Sequence, residues 1–443
     1  MKKLILLFVL FPFFQSAFAQ EMPVILSMEQ RAAVRNRWLE ERFSTVLPAI
    51  MEEQGIDMWI IVSREYNEDP VLKTMLPATW LSARRRTILV MHKNKEGTVD
   101  GYAIARYSVG TVFKGIWNPE ENPDQWDVLK DLIEEKTPNK IAINRSKIFG
   151  LADGLVATDQ EEMMAYIPKK FQDKIVADGQ LAIRWLETRT ENELIVYEQI
   201  CQIGHTLIKE AFSEKVIQPG VTTTQEVVWW FRERIRELKL VAWFHPTVDV
   251  QRADPASNEN QRSFSRQPDV DVIMPGDLIH CDVGITYLGL NTDMQELAYI
   301  LKAGEKEAPK GLVEGLKAGN RLQDIMTGHF RKGVSGNEIL TKTIVRAKAE
   351  GLRPQIYSHP IGYHGHAAGM NVGLWDNQVE IPQGNHPLYE NTCYAIELNT
   401  KVNIPEWDNK EVRIMLEETA VFRDGKVHYL SGRQEKLLLI PRQ

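Results

Sequence analysis

Residues 278–297, LIHCDVGITYLGLNTDMQEL, constrain the fold more than any other stretch of the chain. Apolar and β-branched residues flank Leu288-Gly289, a turn dipeptide, so the segment predicts two short antiparallel strands closed by a hairpin. Each strand carries one aspartate, Asp282 and Asp293. With the turn at Leu288-Gly289 the two carboxylates are expected roughly opposite each other, and facing residues of such a pair sit about 5 Å apart. Like charges so placed destabilise a sheet. A divalent cation would offset them, and hard oxygen ligands suit Mn²⁺, Mg²⁺ or Zn²⁺. Two unrelated surface aspartates are the competing reading, and the hairpin alone does not separate the two.

Further along, residues 358–373 read SHPIGYHGHAAGMNVG and hold His359, His364 and His366, three of the chain's ten histidines. Their glycines let backbone approach a ligand closely, although histidines in such a loop also serve structure alone. The run Cys393–Leu398 predicts a strand that sets Glu397 among apolar neighbours, where an unpaired carboxylate is costly. A last strand, Arg413–Phe422, carries Glu417 and Glu418. Neighbours on a strand face opposite sides, so only one of the two can point at a site shared with Glu397.

The chain begins with Lys2 and Lys3, an apolar run from Leu4 to Phe14, and Ala17-Phe18-Ala19. That order is expected of a secretory signal removed before Gln20, its apolar run being too short to span a bilayer. The destination is then periplasmic or secreted. No cysteine follows the cleavage point to suggest a lipid anchor. The formal net charge of -7 becomes -9 without Lys2 and Lys3, which argues against nucleic acid as a partner. Three cysteines (Cys201, Cys281 and Cys393) do not make a disulfide framework, and small buried thiols are expected.

The 443 residues suffice for two or three domains. Residues 27–54 read as one long amphipathic helix with Leu39, Phe43, Val46, Leu47 and Ile50 near one face. Strands are expected at 56–62, 87–92, 101–106 and 140–144, with a helix near 126–135. Such alternation predicts a compact α/β unit, with a seam at residues 184–189. Beyond it, Thr190-Glu191-Asn192-Glu193 and Thr223-Thr224-Gln225-Glu226 are capping boxes opening helices. Helices near 310–327 and 337–349 interrupt a strand-rich remainder.

The order Asp, Asp, His, Glu, Glu resembles the pita-bread metallopeptidases: aminopeptidase P, prolidase and methionine aminopeptidase, with creatinase as a metal-free relative. The matching segments are Pro275–Gly284, Thr292-Asp293, Gly365–Gly369, Ala395–Glu397 and Leu416–Thr419, with eleven residues from the first aspartate to the second. The resemblance implies α/β plus α+β architecture, with a creatinase-like N-terminal domain at 20–185 and a pita-bread catalytic domain at 186–443. It implies that Asp282, Asp293, His366, Glu397 and Glu417 hold two divalent ions, Mn²⁺ foremost, with Co²⁺, Zn²⁺ or Fe²⁺ as alternatives. It implies that a metal-bridging hydroxide attacks the scissile carbonyl while Glu397 handles the proton. It also implies a homodimer acting on short peptides at the N-terminus, with X-Pro bonds in view.

Proline-directed relatives carry one accessory histidine four residues before the ligand histidine and another seven after it. Counted from His366 these places hold Gly362 and Gly373, a third accessory position holds Ser265, and Met415 stands where an arginine is usual. His359 and His364 are therefore the candidates for the accessory catalytic role. Two alternatives stay open: a metal-dependent amidohydrolase acting on a small non-peptide C–N bond, and a catalytically silent peptide-binding homologue.

Overall fold

The computed structural model describes residues 22–177, 179–254 and 270–442; the expected signal sequence and Ser265 lie outside them. The first helix, Met28–Ser44, opens on a capping box in which Ser27 and Gln30 satisfy each other's backbone N–H. It stops at Thr45, and a second helix runs Val46–Gln54, where one continuous helix was expected. Pro48 explains the break: its ring would clash with the carbonyl four residues back, at Ser44.

A six-stranded sheet follows, in the order Lys114–Gly115, Val99–Ile104, Arg86–Lys93, Met58–Arg64, Ile141–Ile143 and Ile175–Val176. Met58–Arg64 pairs antiparallel with Arg86–Lys93 and parallel with Ile141–Ile143. Met58 to Val62 is buried on both faces, as helices covering a mixed sheet require.

Thr190 and Thr223 cap the helices Glu191–Ala211 and Thr224–Glu237, and both expected capping boxes close. Lys310–Thr327 and Gly336–Ala349 are the two later helices. They pack around four small, largely antiparallel sheets, so the molecule is mixed α/β and α+β. Cys201, Cys281 and Cys393 are buried free thiols.

The hairpin forms with Leu288 at φ 56° and Gly289 at φ 87°, the backbone of a two-residue turn. Tyr287 faces Leu290 across it. The same register sets Gln295, not Asp293, opposite Asp282. Asp293 lies two places nearer the turn, so the aspartates share one face diagonally instead of standing opposite each other.

The strands expected to run through Glu397 and Glu417 are interrupted there. Thr392–Ala395 and Thr419–Arg423 pair in one sheet beside His359-Pro360, whereas Leu398–Ile404 and Lys410–Leu416 pair in another. At both glutamates the chain therefore crosses between sheets. Ladder pairing is lost locally, and both carboxylates turn toward one corner.

The N-terminal layer is clamped to that corner through Arg42. Its guanidinium, fully buried, donates to the Thr188 carbonyl at 2.6 Å, to the Glu193 carboxylate at 3.0 Å and to the Trp185 carbonyl. Glu193 also accepts the Tyr363 hydroxyl at 2.6 Å, which ties the histidine loop to the same clamp.

Candidate metal centre

Five groups meet at the sheet crossing. Asp282, Asp293 and Glu417 offer ligand atoms within 4.8 Å of one another, and so do His359, Glu397 and Glu417. His359 Nε2 lies 3.6 Å from Glu417 Oε1, 3.7 Å from Asp293 Oδ2 and 4.0 Å from Glu397 Oε2. These separations are long for hydrogen bonds. They are of the size two ligand atoms take up around an ion roughly 2.1 Å from each.

The electrostatics point the same way. Burial, then Glu417, Asp282 and Glu397, hold the Asp293 carboxyl well above its ordinary range. Burial and the neighbouring carboxylates push Glu397 and Glu417 up likewise. Asp293 Oδ1, Glu417 Oε1 and His359 Nε2 are buried and find no hydrogen-bond partner. Such atoms cost about 1–3 kcal/mol each when left so, and a cation would satisfy all three. His359 Nδ1 donates to the Pro360 carbonyl at 3.0 Å, which leaves the Nε2 lone pair facing the carboxylates. Burial lowers its pKa to about 4, so the ring is neutral and able to ligate near neutral pH.

The donor set fits two hard divalent ions: four carboxylates and one imidazole, with Glu417 common to both groups.

Both His359 and His366 come within metal-ligand reach of the carboxylates. His366, expected as the ligand, is exposed at the rim and forms a metal-sized group with Asp293 and His359. Its ring stands perpendicular to that of His359 at 4.8 Å and packs on Trp243 at 5.2 Å. Trp243 fills the space beside it so fully that a Cβ on Gly365 would come within 2.4 Å of its ring. His359, taken for an accessory residue, sits inside three carboxylates. The sequence contains the ambiguity: His359-Pro360-Ile361-Gly362 and His366-Ala367-Ala368-Gly369 both read H-x-x-G. His364 joins no metal-sized cluster among the described residues. It lines a cavity of about 320 Å³ with Arg35, Lys73, Thr286 and Leu288.

Sequence reasoning passed over three residues next to the site. Gln295, 3% exposed, donates to Glu397 Oε1 at 2.9 Å and Glu417 Oε2 at 2.8 Å. His280 and Asp249 extend that chain, with His280 Nε2 3.0 Å from Gln295 Oε1 and Nδ1 3.1 Å from Asp249. A signal existed in the even spacing of Asp293 and Gln295, which puts both on the face of Asp282. Glu418 turns to the opposite face from Glu417 and meets His205.

Comparison with known proteins decides the family. The sequence model of metallopeptidase family M24 matches residues 196–424, more than half of the chain and all five clustered groups. The chain belongs to metallopeptidase family M24. Solved structures similar to this M24 protein share its architecture at low identity. An X-Pro aminopeptidase from Thermotoga maritima superposes with TM-score 0.61 at 17% identity, covering 88% of this chain and 99% of its own. An Xaa-Pro dipeptidase from Bacillus anthracis gives 0.59 at 14%, covering 92% and 99%. An Escherichia coli aminopeptidase P variant in complex with substrate gives 0.60 at 12%, covering 90% and 95%. No curated protein sequence matches significantly. These likenesses extend over the N-terminal layer, so the pita-bread architecture with its preceding α/β unit is the fold of this M24 protein.

Proposed function

We propose that this M24 protein is an exported, two-metal aminopeptidase that releases the first residue of short peptides, with X-Pro bonds among its substrates. The single observation that carries the reading is His359 Nε2 set among the carboxylates of Asp293, Glu397 and Glu417. We assign Asp282, Asp293, His359, Glu397 and Glu417 as the ligands, with Glu417 shared between two ions. Counted from His359, His366 falls seven residues on, at one of the accessory places of proline-directed relatives; Gln355 stands four before.

Two divalent ions held here would supply Lewis acidity and lower the pKa of bound water toward 7. The protein's own part follows from the side chains. Glu397 has one oxygen held by Gln295, which orients the carboxylate toward the shared site, where it would take and return a proton. His366, whose ring packs against those of His359 and Trp243, lies at the rim where a peptide carbonyl would enter. Tyr357 packs against both rings, 5.1 Å from that of His359 and 6.1 Å from that of His366.

Export rests on Lys2, Lys3, the apolar run and Ala17-Phe18-Ala19, and would place the mature protein in a periplasm or outside the cell. Division into 20–185 and 186–443, Mn²⁺ as the resident metal, and a homodimer belong to the same proposal. The neighbours named X-Pro aminopeptidase and Xaa-Pro dipeptidase support the bond class.

The test is a panel of short peptides, half with proline second, offered to Mn²⁺-loaded protein with and without chelator, beside Glu397→Ala. Chelator-sensitive release of the first residue, absent in the variant, is expected. No cleavage anywhere on the panel by a protein that holds two ions would contradict the reading and leave the small-amide hydrolase or the silent binder.

A further inference from the structure

We propose that Gln295 is a positioning residue for the His359 half of the metal centre, and that Asp249 and His280 hold it in that role. The inference rests on the metal-centre reading and assigns one further device within it. Gln295 presents a single NH₂ group to two carboxylates, and takes one oxygen from each: Glu397 Oε1 and Glu417 Oε2. The oxygens it leaves, Glu397 Oε2 and Glu417 Oε1, are the two that face His359 Nε2 at 4.0 and 3.6 Å. One amide thereby fixes the rotation of both carboxylates and selects which oxygen of each faces the ion.

The amide's own orientation is fixed in turn. Flipped, its carbonyl oxygen would face two carboxylates and its NH₂ would face His280. His280 Nε2, 3.0 Å from Gln295 Oε1, must carry a hydrogen to donate there. Asp249, 3.1 Å from the other ring nitrogen, orients the ring, and both contacts are hydrogen bonds in this direction when both ring nitrogens carry hydrogen. The backbone adds rigidity, because Gln295 N–H donates to the Glu417 carbonyl at 3.0 Å and Gln295 pairs with Asp282 across the hairpin. A neutral donor is the side chain this place needs: an acid would add a further negative charge, and an apolar residue would leave two buried carboxylate oxygens unpaired. Groups that orient ligands in this way are worth about 10–100-fold in metal affinity.

The experiment is calorimetric titration of the metal-stripped full-length protein with Mn²⁺, for wild type, Gln295→Leu, His280→Gln and the double variant. Wild type should take up two ions. Gln295→Leu should weaken the ion on the His359 side, which has both Glu397 and Glu417, by roughly 10–100-fold, and the other, which shares Glu417 alone with it, by a clearly smaller factor. His280→Gln should weaken the same ion by a smaller factor, and the double variant should be no worse than Gln295→Leu, because His280 acts through the amide. A role in folding alone would lower the melting temperature without this selective loss of one ion. Should Gln295→Leu fail to fold, His280→Gln decides: an unchanged titration overturns the proposal. Both ions within twofold of wild type in a folded Gln295→Leu overturns it as well. A wild-type protein that takes up no Mn²⁺ would instead sink the metal-centre reading beneath it.

Discussion

His359→Ala is expected to lower kcat/KM for peptide hydrolysis by at least ~10³-fold, about 4 kcal/mol of transition-state stabilisation, and to lose one of two Mn²⁺ ions. His366→Ala should keep both ions and lose only ~10–100-fold. The contrast follows from where the rings sit. His359 is 1% exposed, its Nδ1 is committed to the Pro360 carbonyl, and its Nε2 faces three carboxylates. His366 is exposed and approaches a single carboxylate, that of Asp293. Metal content of each purified variant by mass spectrometry, with steady-state kinetics on the same sample, separates the roles. Loss of metal in His366→Ala with full retention in His359→Ala would reverse the assignment.

The second large effect lies on the opposite face of the same strands. Removing His205 as His205→Leu is expected to destabilise the protein by about 3–5 kcal/mol. His205, on the helix Glu191–Ala211, puts Nδ1 2.8 Å from Glu296 and Nε2 3.3 Å from Glu418. Both carboxylates are 2% exposed, and without the imidazolium they stand buried and uncompensated. Each kcal/mol is worth roughly 2–4 °C for a chain segment of this size, so the melting temperature should fall by about 10 °C. Burial works against the charged ring, but Glu418 and Glu296 outweigh it and raise the pKa to about 10. The folded-state value exceeds the ordinary 6.5, so the stabilisation is complete below pH 6.5 and is lost as pH rises through about 10. The difference in melting temperature between wild type and variant should shrink from pH 6 to pH 9 when followed by calorimetry. An equal difference at both would show that His205 contributes through packing alone.

Much of this was legible in the sequence because local physics decides it. Ser27, Thr190 and Thr223 cap helices through residues three places on, and no distant contact is needed to recognise them. Glu417 and Glu418 do turn to opposite sides as expected, Glu417 to the carboxylate cluster and Glu418 to His205, although the strand breaks between Leu416 and Thr419. What escaped depends on register and on sheet crossings. A hairpin closed at Leu288-Gly289 pairs Asp282 with Gln295, two residues beyond Asp293, and that shift brings a neutral amide into an acidic site. The breaks at Glu397 and Glu417 arise where strands change sheets, which is a tertiary event with no local marker. Which histidine stands deepest among the carboxylates was obscured because two H-x-x-G runs stand seven residues apart, and the fold sets His359 with Glu397 and Glu417 while His366 joins Asp293 and His359.

The most direct test of the central claim is anomalous X-ray diffraction at the manganese edge from crystals of the protein soaked in Mn²⁺. Two peaks are predicted within the cluster, one ligated by His359, Glu397 and Glu417 and the other by Asp282, Asp293 and the shared Glu417. No peak there, or a peak held by His366 with His359 outside its coordination shell, would contradict the account.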